Sequence, residues 1–121
     1  MTRVPIRYAK PYSAVLRATG TPPSAAYLEI DGDKVRVRMG WAFRAKFTRT
    51  AVASVTQFRR VVSVGVHGWN GRWIVNGANE PIARVVLEPA ARARVIGVPV
   101  RLRELLVSVD DIAELERLLL G

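Results

Sequence analysis

The sequence predicts a mainly β domain with one C-terminal α-helix. Three observations predict it. Most of the 121-residue chain alternates apolar and polar residues with period two, the pattern of half-buried strands. Glycine-containing turn dipeptides interrupt that alternation at short intervals. Near residue 109 the period lengthens to that of an amphipathic helix. The length suits one domain. Half of the residues are hydrophobic, which is enough for a core without disulfide staples.

Residues 1–24 form a short N-terminal segment with room for one strand at 12–18. "TGTPPS" (19–24) is rich in chain breakers and separates it from the body, 25–121. The body opens with "YLEIDGDKVRVRMGWAFRAKF" (27–47). A two-residue turn at Gly32-Asp33 pairs Ile30 with Val35 and Leu28 with Val37 on one face. On the other face it pairs Asp31 with Lys34, Glu29 with Arg36 and Tyr27 with Arg38, and the fully charged pairs have opposite sign. The next loop must keep the apolar faces aligned. A two-residue loop would set Arg38 beside Phe43, because a one-residue slip swaps the faces. A three-residue loop, Gly40-Trp41-Ala42, instead pairs Met39 with Phe43, Val37 with Ala45 and Val35 with Phe47.

Further strands are expected at 51–58 and 61–67. In "GVHGWNGRWIVNG" (65–77) a four-residue loop, Gly68 to Gly71, pairs Val66 with Trp73 and Val64 with Val75, and sets His67 opposite Arg72. The glycines here read as turn chemistry, and Trp73 as core. Trp69, at the loop tip, reads as a contact residue. Strands at 82–89, 91–96 and 98–109 complete the β-structure. The helix is expected over 109–120, started by Ser108 and Asp111 as a capping pair, with Ile112, Leu115 and Leu119 as its apolar stripe.

The net charge is +9. Residues 110–121 hold four acids and one arginine, −3, which leaves +12 on the remainder. Such a body attracts nucleic acid, anionic membranes or acidic proteins. The meander gathers that charge on its outer face. Arg38 falls opposite Arg44 and Arg36 opposite Lys46, so Lys34, Arg36, Arg38, Arg44 and Lys46 form a basic column. Like charges set directly opposite are unfavourable. This column, with Trp41 and Trp69 as aromatic anchors, is the candidate ligand-binding surface; a merely solvated face is the alternative.

Enzyme chemistry has little to stand on. The chain has one histidine and no cysteine, and it carries no P-loop, dinucleotide fingerprint or metal-ligand spacing. No catalytic residue, metal or cofactor is therefore expected. No apolar run reaches the ~18 residues of a membrane span. "MTRVPIRYAKPYS" lacks the apolar stretch of a signal peptide. Absence of cysteine agrees with a cytoplasmic location.

The order of signals is "RVRMGWAFRAKFTR", "GVHGWNGRWIVNG", "RVVLEP", then "VRLRELLVSVDDIAELERLL". In that order, over about residues 25–120, the chain resembles the bacterial pleckstrin-homology-like (PH-like) proteins of actinobacteria. The resemblance implies a split barrel of two antiparallel sheets, capped at one end by the helix. It also implies a non-catalytic binding or scaffolding module. Members of this fold bind inositol phosphates, anionic lipids, peptides or proteins. In eukaryotic members a basic motif on the first hairpin contacts phosphates, and Lys34, Arg36 and Arg38 stand as K-x-R-x-R on such a hairpin. The expected partner is a protein or an anionic lipid surface, which would make the protein peripheral at the membrane. A sheet edge offers a second docking mode, including homodimer formation. The alternative is a nucleic-acid-binding protein that uses its arginine-rich surface.

Overall fold

A computed structural model describes residues 2–7, 25–58, 65–69, 71–76 and 81–120, with positions 65, 67, 69 and 76 as backbone only. The described strands are β1 (Thr2–Pro5), β2 (Ala26–Asp31), β3 (Lys34–Met39), β4 (Phe43–Thr48), β5 (Val52–Phe58), β6 (Gly65–Trp69), β7 (Arg72–Asn76), β8 (Ile82–Val95) and β9 (Val98–Ser108). One helix follows, α1 (Ile112–Leu120). The mainly β class with a C-terminal helix is as the sequence predicts.

The β2–β3 and β3–β4 hairpins have the predicted registers, pair for pair. Gly32 and Gly40 take positive φ, 59° and 54°, at the two turns. Residues without a Cβ adopt that conformation at little cost. The apolar residues of this meander point into one core. Leu28, Val35, Val37, Met39 and Phe43 are fully buried there, with Leu102, Leu105 and Leu115 from later elements. Burying each such side chain contributes about 1.5–3 kcal/mol.

Four expectations need correction. First, the described strands form one open hydrogen-bonded sheet, ordered β1-β2-β3-β4-β8-β9-β7-β6, with β5 also on β8. The expected separation into two wholly antiparallel sheets is not found, because β7 runs parallel to β9. Second, 82–89 and 91–96 are one 14-residue strand, β8. Pro89 sits where the β8–β9 register shifts, between Val86 and Ala91. A proline has no N–H for the ladder, so a bulge is where a strand can carry one. This irregularity divides β8 between two neighbours. Ile82–Leu87 pair with β5, and Arg92–Val95 pair with β4.

Third, the β6–β7 loop is two residues shorter than predicted. Val66 pairs with Val75, Gly68 with Trp73, and His67 with Ile74 rather than Arg72. A slip of two keeps every side chain on its face, so alternation cannot detect it. Fourth, the helix begins at Ile112, and its cap is Asp111, whose Oδ1 accepts from the Glu114 N–H at 3.1 Å. Ser108 belongs to β9, and its hydroxyl donates to the Arg7 carbonyl at 2.8 Å. Leu115 and Leu119 are buried, and the helix packs on β5. In the N-terminal segment the described strand is β1, paired with β2; the stretch 12–18 lies outside the described residues.

Candidate anion-binding face

Every residue of the basic column lies on the solvent side of the meander, because its alternating neighbours fill the core. The structure then extends the column sideways. β4 pairs with β8 and β8 with β9, so two rows of side chains cross the sheet. One row runs Arg36, Lys46, Arg92, Arg101 over four adjacent strands. The other runs Tyr27, Arg38, Arg44, Arg94, Pro99. Neighbouring strands lie about 4.8 Å apart, so directly opposite side chains are in close range.

Five directly opposed pairs are therefore cationic on both sides: Arg36–Lys46, Lys46–Arg92, Arg92–Arg101, Arg38–Arg44 and Arg44–Arg94. At a few tenths to about 1 kcal/mol each, they cost roughly 1–5 kcal/mol together. A domain's net stability is only about 5–15 kcal/mol, so this is a substantial share. No carboxylate among the described residues makes a salt bridge with any of these seven cations. The nearest acid in the rows, Glu29, is held from the far side by Arg3 at 2.8 Å. That hydrogen bond raises the Arg3 pKa further above its ordinary value. Arg3 also lies over the Tyr27 ring, 4.1 Å from its centre.

The face is an open concavity of about 910 Å3, lined by both rows, with Tyr27 and Glu29 at its β2 side. Lys34 stands apart from it, opposite both Asp31 and Thr48. Arg36, Arg44, Lys46, Arg92, Arg94 and Arg101 are exposed, while Arg38 is half-buried and donates from Nε to the Gly40 carbonyl at 3.3 Å. Trp41 is 53% exposed at the β3–β4 turn, beside the second row. Trp69 is placed in β6 opposite Arg72 by its backbone, in another part of the sheet, and its side chain lies outside the described residues. The His67 side chain lies outside them too.

Sequence reasoning missed Arg92, Arg94 and Arg101. Their alternation in "ARAR" and "VRLR" marks them as outward residues. Nothing local says that β8 lies beside β4, which is about 45 residues away in the chain.

A second charged group is structural. Glu104 on β9 is only 16% exposed in its side chain, and its carboxylate bridges Arg72 of β7 and Arg84 of β8. It ties three strands together at the parallel junction. Among the described residues no group of three or more His, Cys, Asp or Glu side chains could hold a metal ion. No described helix is long and apolar enough to cross a membrane.

Compared with protein-family models, with curated proteins and with solved structures, the chain matches none. Its functional reading therefore rests on the face itself.

Proposed function

We propose that this protein is a non-catalytic binding module that docks an anionic partner on the outer face of β3, β4, β8 and β9. One observation carries the reading. Five like-charged pairs stand directly opposite one another, at a cost that an anionic ligand would remove. Local violations of folding preference that are retained in one place are most economically explained by function. Arginine supplies most of these cations, and its planar fork suits phosphate and carboxylate alike.

The likeness to PH-like barrels enters here as part of the same proposal. The succession of strands and then a terminal helix supports it, and the parallel β7–β9 ladder is a departure from it. A sheet edge is the weaker docking feature. β1 is four residues long and ends in Pro5, which has no N–H to offer a partner strand. A second reading, nucleic-acid binding, is favoured by Tyr27 among the residues lining the concavity, since a curved basic surface with an aromatic can follow a strand.

The test is co-sedimentation with anionic and neutral vesicles, beside gel shifts with single- and double-stranded nucleic acid, at two salt concentrations. Salt-sensitive binding to one anionic class is expected. The double reversal Arg36→Glu/Arg92→Glu should abolish it. Binding that survives the reversal would remove the basic face from consideration.

A further inference from the structure

The most exposed large apolar side chains of the described residues include three that share one end of the sheet. Trp41 is 53% exposed, Ile96 61% and Val98 59%. Trp41 belongs to the β3–β4 turn and Ile96 to the β8–β9 turn, and Val98, opposite Val95, opens β9 directly after it. Because Phe43 pairs with Val95, the two turns are neighbours, and the Ile96 N–H donates to the Ala42 carbonyl at 2.9 Å.

Ile96 is anomalous in a second way. Its φ is 51°, followed by Gly97 at 79°. Two successive positive φ values belong to the tight hairpin turn for which Asn-Gly is the preferred pair. A β-branched residue at positive φ is a genuine outlier. Ile96 is therefore strained by its backbone and exposed to water at the same time. An outlier of this kind is grounds for a functional hypothesis.

The cations next to this tip lean towards it. Arg38 donates to the Gly40 carbonyl and Arg94 to the Gly97 carbonyl, each at 3.3 Å, and both acceptors are turn residues. Arg44 stands between them across the sheet. The segments 38–44 and 91–101 contain no Asp or Glu. The order from the tip inward is thus apolar side chains first and guanidinium groups next. A bilayer read from its interior outward offers the complement in the same order, acyl chains and then anionic headgroups.

We propose that the joined β3–β4 and β8–β9 turns are a membrane-insertion tip, and that the partner of the basic face is an anionic lipid surface. Trp41, Ile96 and Val98 enter the boundary between headgroups and acyl chains, while Arg38, Arg44 and Arg94 bind headgroup phosphates. The proposal rests on the basic-face reading for its long-range attraction and goes beyond it in naming the lipid surface and the residues that enter it.

The experiment uses vesicles of equimolar phosphatidylcholine and phosphatidylglycerol, with and without brominated acyl chains. Tryptophan emission should move to the blue on binding and be quenched by the brominated lipid, and Trp41→Phe should remove most of that quenching. Ile96→Asn is the decisive variant. Asparagine tolerates positive φ, so the melting temperature should rise while vesicle affinity falls roughly tenfold or more. A merely tolerated turn would give the first change without the second. If Trp41→Phe and Ile96→Asn both bind like the parent chain while Arg36→Glu/Arg92→Glu does not, the tip proposal fails and the basic-face reading stands. Retardation of nucleic acid or of an acidic protein, without vesicle binding, overturns the insertion tip together with the lipid partner and leaves the basic-face reading standing. If none of the three variants alters binding, both readings fall.

Discussion

Two single residues show how differently glycine and its substitutes are constrained here. Gly68 has φ 148°, and a Cβ built there meets the Arg72 carbonyl oxygen and stands 2.9 Å from Trp73 Cα. Both obstacles are backbone, so neither can swing aside. Gly68→Ala should lower stability by about 3 kcal/mol, read by urea unfolding. Gly32 also has a left-handed φ, 59°, but nothing within 4 Å of its Cβ position. Gly32→Asn should change stability by less than about 0.5 kcal/mol, since asparagine tolerates that conformation and meets no neighbour. The sequence marks both glycines as turn residues alike. Only the approach of β7 distinguishes them.

At the level of elements, β8 is the organiser. It lies between β4 and β9 along one half and between β5 and β9 along the other, and its bulge makes that division possible. Arg92 stands opposite Lys46 on one side and Arg101 on the other. Arg92→Glu converts two repulsive pairs into attractive ones. It should stabilise the fold by about 1 kcal/mol at low salt while weakening anion binding. The stability gain should shrink as salt screens the exposed charges, which denaturation at two ionic strengths will show. Glu104 has the opposite role. Glu104→Ala leaves Arg72 and Arg84 without their shared carboxylate at the β7–β8–β9 junction. The two guanidinium groups are nearly half exposed, so the expected loss is about 1–2 kcal/mol rather than the larger cost of a fully buried pair. Anion binding on the far rows should be unchanged. The meander registers were legible in the sequence because short loops and opposite charges leave one alignment. The β6–β7 register was not legible, because a slip of two satisfies the same alternation.

For the whole molecule, the decisive quantity is charge without compensation. The chain carries +9, and among the described acids Glu29 alone stands beside the two basic rows, where Arg3 already holds it; Asp31, Asp33, Glu88, Glu104 and the acids around the helix lie off them. Self-repulsion of this kind destabilises a compact state. The melting temperature should therefore rise between low and moderate salt, by about 4 °C for each kcal/mol of repulsion relieved. Inorganic polyphosphate should raise it further at constant ionic strength, because a ligand that binds only the folded state stabilises it. Equal shifts with polyphosphate and with sodium chloride of matched ionic strength would mean that the face responds to screening and holds no ligand.

The sequence by itself determined the class of fold, the first two hairpins with their registers, the terminal helix and the outward placement of the cations. All of these are local consequences of period, turn length and charge sign within a few residues. The tertiary structure alone decided that β8 lies beside β4, that β7 runs parallel to β9, and that a column of five cations becomes two rows over four strands. Alternation tells a strand which face to bury. The neighbour it meets depends on how distant segments share one core, and here that choice turns on a bulge at Pro89, which local pattern reads as a break between strands.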